Sequence, residues 1–100
     1  MKTNKYIPSP IKGMPNAPEA EQAVIGSLLS FGGDKVFDAI SPELNKDMFY
    51  DNRYAVLYDA IQSLYASNKP CDIVSVSNEI RSIGKIEEVP PHFIAETLNY

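Results

Sequence analysis

Cysteine is nearly absent from this 100-residue chain, where Cys71 stands alone. A single thiol forms no internal disulfide, and with His92 the only histidine there is no ligand set for a structural metal. Such a chain is expected in the reducing cytoplasm. No apolar run approaches the roughly 20 residues that crossing a bilayer requires, so no membrane role is expected. The first dozen residues carry lysines but lack the apolar core of a secretory signal. Positive charge is also scarce: 9 Lys and Arg against 13 Asp and Glu leave a formal charge of −4 and a pI near 4.8. That balance repels phosphate backbones, which argues against direct nucleic-acid binding. Only five glycines are present. None forms a phosphate-binding loop, because Gly32-Gly33 lacks the following Lys-Ser/Thr and reads as a turn.

What the chain does have is a 44% hydrophobic composition with 22% charged residues, enough for one small domain that buries about 60–65% of its unfolded surface. Residues 1–15, with Pro8, Pro10 and Pro15 and little periodicity, read as a flexible leader, and residues 16–100 as the ordered part. Asn16 is placed to cap a first helix, with Pro18, Glu19 and Glu21 suited to its opening turn. Its inward stripe is Ala20, Ala23, Val24, Leu28 and Phe31, and Ile25 and Leu29 widen it most of the way round, the pattern of a central helix. After Gly32-Gly33, Asp34 is read as the cap of a short helix through Ile40, and Ser41-Pro42-Glu43 as the start of a single turn. The clearest pattern runs from Asn52 to about Ser67, where Tyr54, Leu57, Tyr58, Ile61, Leu64 and Tyr65 share one face. Asp72 caps the next helix, with Ile73, Val76, Ile80 and Ile83 on one side and Gly84 at its end, and Pro90-Pro91 opens a last one containing Phe93, Ile94 and Leu98. No pair of segments alternates in the manner of strands. The fold class is therefore all-α, an orthogonal cluster of about five or six short helices.

Reactive groupings are hard to find. His92 has no serine or cysteine partner, and Glu19 and Glu21 diverge by about 200° on a helix, so they are helix-start charges and not an acid–base pair. Glu87-Glu88 lies in a connector, as a solvated pair. Cys71, just before a helix, is either a thiol of lowered pKa or a small buried filler. Tyr54, Tyr58 and Tyr65 could stack on bases, but they occupy the core stripe with only Arg53 cationic nearby. An interaction module is favoured over an enzyme, with no catalytic, cofactor or metal residues assigned.

Two blocks carry a specific likeness. Pro15-Asn-Ala-Pro-Glu-Ala-Glu-Gln-Ala-Val-Ile-Gly-Ser-Leu-Leu29 resembles the opening of the N-terminal domain of DnaB-type replicative helicases, P-x-x-x-E-A-E-x-A-V-L-G-[SA]-[LIMV]-[LMF]. Met48-Phe49-Tyr50 with Tyr54, Leu57-Tyr58, Ala60-Ile61 and Leu64 is similar to that family's D-F-Y-x-x-x-H-x-x-I-F-x-A-I-x-x-L. Lys69 to Val76 and Gly84 to Val89 resemble two further family stretches, and the order agrees from about Pro15 to Leu98. Tyr54 stands at the family's frequent His, Cys71 at an aliphatic position, and Pro90-Pro91 where Gly-Gly is usual. The last difference replaces a flexible turn by a stiff one next to Phe93.

The resemblance implies the helical head of a non-catalytic N-terminal domain, to be followed in a full-length helicase by a helical hairpin and an ATPase motor, where ATP and Mg would bind. It implies as partners other helicase subunits in a hexamer collar, the DnaG-type primase, and a helicase loader. A small helix-turn-helix DNA reader is the alternative, opposed by the net charge and the lack of a basic stripe. Ile25, Leu29, Val56, Ala60 and Phe93 are the candidate interface positions. All but Phe93 fall off the main stripes of their helices, and burial against another helix of the same domain is the favoured reading for them.

Overall fold

The computed structural model describes residues 18–99. The leader and the Asn16 cap lie outside the described residues. Five helices follow one another: α1 (Pro18–Leu29), α2 (Gly33–Ile40), α3 (Asn52–Ala66), α4 (Ile73–Ser82) and α5 (Pro91–Glu96), with 3-10 turns at Lys46–Met48 and Thr97–Asn99. The class is all-α, with no strand among the described residues.

Local chemistry explains most boundaries. Asp51 caps α3 by accepting the Arg53 amide at 2.9 Å, and Asp72 caps α4 by accepting the Ser75 amide at 2.8 Å. Both helices end in the same way. Asn68 (φ 57°) and Gly84 (φ 77°) take the left-handed conformation, and the amides of Lys69 and Lys85 reach back to the carbonyls of Leu64 and Ile80. This pairing satisfies carbonyls that the helix end would otherwise leave open. Pro91, whose missing amide costs nothing in a first turn, starts α5. Two expected starts differ. Gly32 (φ 85°), not Asp34, occupies the cap position of α2 and offers no side chain, so Asp34 lies inside the first turn. Ser41-Pro42-Glu43 forms only a turn, and the single helical turn begins after Asn45, whose side chain accepts the Asp47 amide at 2.9 Å.

The core gathers Ile25 and Leu28 of α1, Leu57, Tyr58 and Ile61 of α3, Val76 and Ile80 of α4, Val89, and Ile94 of α5, all fully buried. Burial of each such side chain contributes about 1.5–3 kcal/mol. α1 packs against α2, α3 and the last 3-10 turn, so its wide apolar surface is covered on several sides. The core stripe of α3 holds as expected, and Tyr58 satisfies its buried hydroxyl by donating to the Leu44 carbonyl at 3.0 Å. Not every stripe residue points inward: Phe31 and Ile83 lie past their helix ends and are exposed, as is Leu98. One buried polar atom, the Ser77 hydroxyl oxygen, has no hydrogen-bond partner.

The α1–α2 corner is closely packed. Tyr65 stacks on Phe37 with ring centroids 4.8 Å apart and donates its hydroxyl to the Leu28 carbonyl at 2.7 Å. Gly33 is buried beneath them, and a β-carbon there would overlap the Leu28 carbonyl oxygen. Gly33→Ala is therefore expected to cost roughly 1–3 kcal/mol by overpacking, read from the urea midpoint, and to shift the Tyr65 ring resonances. Gly32→Ala meets open space; its cost of roughly 1–2 kcal/mol comes from the left-handed backbone alone, leaving Tyr65 undisturbed.

A candidate protein-docking surface

The polar group that organises this domain is not at a conventional reactive centre. Glu21, in the first turn of α1, is 1% exposed. One carboxylate oxygen accepts the Tyr50 amide at 2.6 Å and the other the Asp51 amide at 3.1 Å. Among the described residues no Lys or Arg pairs with it. Its two carboxyl oxygens are met by two backbone N–H dipoles at the positive end of α3. Glu21 is thus a clasp between α1 and α3, not the solvated helix-start charge that its sequence position suggests.

Around this clasp the surface is built from paired groups. Asp51 both caps α3 and binds the Arg53 guanidinium at 2.9 Å, which holds its carboxyl below the usual carboxylate range. Arg53 lies over the Phe93 ring at 4.3 Å from the centroid, and Phe93 packs against Tyr54 with centroids 5.3 Å apart and the rings tilted by 39°. Gln22, next to the clasp, donates to the Glu96 carbonyl at 2.8 Å and ties α1 to α5. Tyr50 itself remains 69% exposed although its amide is fastened. An open groove of about 340 Å³ lies across α3 and the end of α4, with Ala55, Val56 and Ile83 as its apolar lining and Lys46, Asp59 and Lys85 as charges at its edge.

The interface candidates divide on this map. Ile25 and Ala60 are 0% and 2% exposed, so they present no surface to a partner. Phe93, at 8%, is covered by Arg53 and Tyr54. For Ile25 and Ala60 burial within the domain is what the structure shows, because α1 and α3 are contacted on more than one side. Leu29 and Val56 are partly buried, and Val56 reaches the groove. The exposed apolar residues are instead Phe31, Tyr50, Val74, Ile83 and Leu98. Phe31 and Ile83 each directly precede a glycine, and Tyr50 directly precedes the Asp51 cap. Cys71 is half-buried, and burial pushes its thiol up to about 11, which removes the reading as an activated thiol. His92 is exposed in α5. Among the described residues no group of three His, Cys, Asp or Glu side chains is placed to hold a metal. None of the described helices is long and apolar enough to cross a membrane.

Comparison with known proteins now decides the family. The profile of the DnaB-like helicase N terminal domain matches residues 13–100. The chain belongs to that family. Replicative DNA helicase DnaB of Leifsonia xyli subsp. xyli is 33% identical over 78 residues, covering 78% of this chain and 17% of that protein. The DnaB helicases of Rhodothermus marinus and Pasteurella multocida are each 33% identical, over 76 and 92 residues. The chain spans less than a fifth of these relatives, 17%, 8% and 19% of their lengths. The crystal structure of the N-terminal domain of DnaB helicase from Mycobacterium tuberculosis superimposes with a TM-score of 0.75 at 26% identity, covering 85% of this chain and 58% of that one. The DnaB N-terminal domain fold is thus established, and Glu21 lies within the Pro15–Leu29 block that most resembles the family.

If Glu21 is the clasp, Glu21→Ala leaves two part-buried amides without acceptors and is expected to cost about 2–6 kcal/mol, at roughly 1–3 per orphaned group. Glu21→Gln keeps one acceptor oxygen and loses roughly half of that. Urea denaturation of the three proteins measures the order.

Proposed function

We propose that this chain is the helical head of a replicative-helicase N-terminal domain and works by protein–protein contact, contributing to the assembly of the hexamer collar and to docking of a DnaG-type primase during DNA replication. What supports the reading is that the buried Glu21 carboxyl and Tyr58 hydroxyl are spent on backbone groups of other segments, while apolar side chains such as Phe31 and Tyr50 stand in solvent. Burial of such residues against a partner is the usual driving force of a docking contact.

In this reading the domain has no catalysis of its own. ATP and magnesium serve the motor region of the parent helicase, and the setting is the cytoplasm. A helicase loader is a further partner of the same assembly. Duplex reading by a helix-turn-helix arrangement is disfavoured by charge: residues 18–99 carry all 13 carboxylates but only 6 of the 9 cations, since Lys2, Lys5 and Lys12 precede them.

Sedimentation or light scattering across a concentration series, alone and with the C-terminal domain of a cognate primase, tests the proposal. Dimers or trimers at high concentration, or a mass increase with primase, are the expected results. A monomer at every concentration that ignores primase contradicts assembly and docking through this head.

A further inference from the structure

α4 is held differently from its neighbours. Bonds from side chain to backbone fasten α1 to the start of α3 and to α5: Glu21 takes the Tyr50 and Asp51 amides, and Gln22 reaches the Glu96 carbonyl. Tyr65 of α3 closes the other end of α1 through the Leu28 carbonyl. Among the described residues α4 has no tie of this kind. Its one hydrogen bond to another helix runs from the Ser63 hydroxyl to the Glu79 carboxylate at 3.1 Å, in an exposed setting, and its other bonds are local.

What remains is packing on α3 and α5, and it is thin. Of the ten residues of α4 only Val76, Ser77 and Ile80 are buried, with Ile73 and the preceding Cys71 half-buried. The Ser77 hydroxyl oxygen lies in this seam without a hydrogen-bond partner. A hydroxyl in that state works against the closed arrangement, because water satisfies it on opening.

The surroundings leave α4 room to move. A cleft of about 270 Å³ lies between Leu64 near the end of α3 and the Ser75, Asn78, Glu79 and Ser82 side of α4, and the Val56 groove opens at Ile83. Residues 66–70 before the helix and 81–85 after it are all exposed, and each stretch holds one left-handed residue, Asn68 or Gly84. Rearranging either stretch disturbs no buried side chain. Past the second one, Val89 is fully buried and fixes the chain again before α5.

We infer that α4 is a hinged flap, which leaves α3 and α5 as a unit by turning at residues 66–70 and 81–85 while the rest of the head stays assembled. The Ser77 hydroxyl sets its balance by favouring the open form, in which Leu64, Val76 and Ile80 meet water. Once undocked, a ten-residue helix is not stable on its own, so opening also exposes the α4 amides. The flap belongs to the fold and does not depend on whether the head docks primase.

Native-state hydrogen exchange at low urea concentrations tests it. Amides of residues 77–83 are expected to exchange roughly tenfold faster than those of the α3 interior and with a weaker urea dependence, since a partial opening exposes less surface. Gly32→Ala, whose added methyl meets nothing, should lower protection in α3 by roughly tenfold through its backbone strain and leave that of α4 unchanged. Ser77→Ala should raise α4 protection by roughly tenfold. Exchange of α4 with the rate and urea dependence of α3, or an equal fall in both helices in Gly32→Ala, would show a single cooperative unit and overturn the flap. Unaltered α4 protection in Ser77→Ala would overturn the part given to the hydroxyl.

Discussion

A buried carboxylate facing two backbone amides is the constraint on which the arrangement of α1 and α3 depends. Glu21 reaches across 29 and 30 residues of sequence to the amides of Tyr50 and Asp51. Those amides immediately precede α3, so the clasp sets where the main core helix begins and from which direction the chain enters it. Asp51 then caps that helix, and its partner Arg53 lies over Phe93, which carries the order onward to α5. Hydrophobic burial supplies most of the driving force, but it is non-directional. The hydrogen bonds from the Tyr50 and Asp51 amides to Glu21 are directional, and they set the approach of α1 to the start of α3.

The opposite end of α1 is closed by a second polar contact, from Tyr65 to the Leu28 carbonyl. Between these two fastenings α1 is held at both ends by α3, and the apolar residues between them need no specificity beyond fit. The consequence for function is a stiff α1–α3 frame. Residues that project from it, such as Phe31 at one end and Tyr50 at the other, lie beside these two fastenings.

Much of this was legible from local pattern. The α3 stripe, the Asp72 cap, the Gly84 stop and the Pro91 start each depend on residues within a few positions of one another, where sequence reasoning is strongest. Glu21 was not legible, because its partners are two amides far along the chain and amides have no sequence signature; it read as an ordinary acidic residue near a helix start. Phe31 was placed inside because the period of α1 extends to it, yet the helix stops at Leu29 and the glycine turn sends the side chain outward. Ile25 and Ala60 proved to be core, the reading that the wide apolar surface of α1 already favoured for Ile25. The likeness to the DnaB N-terminal domain came from the same Pro15–Leu29 block that contains the clasp.

Hydrogen exchange at the amides of Tyr50 and Asp51 tests the central claim most directly. Both belong to a turn next to an exposed tyrosine, so without the clasp they should exchange like loop amides. The account predicts protection comparable to that of the α3 interior, lost in Glu21→Ala. Rapid exchange of both amides in the unaltered protein would contradict it.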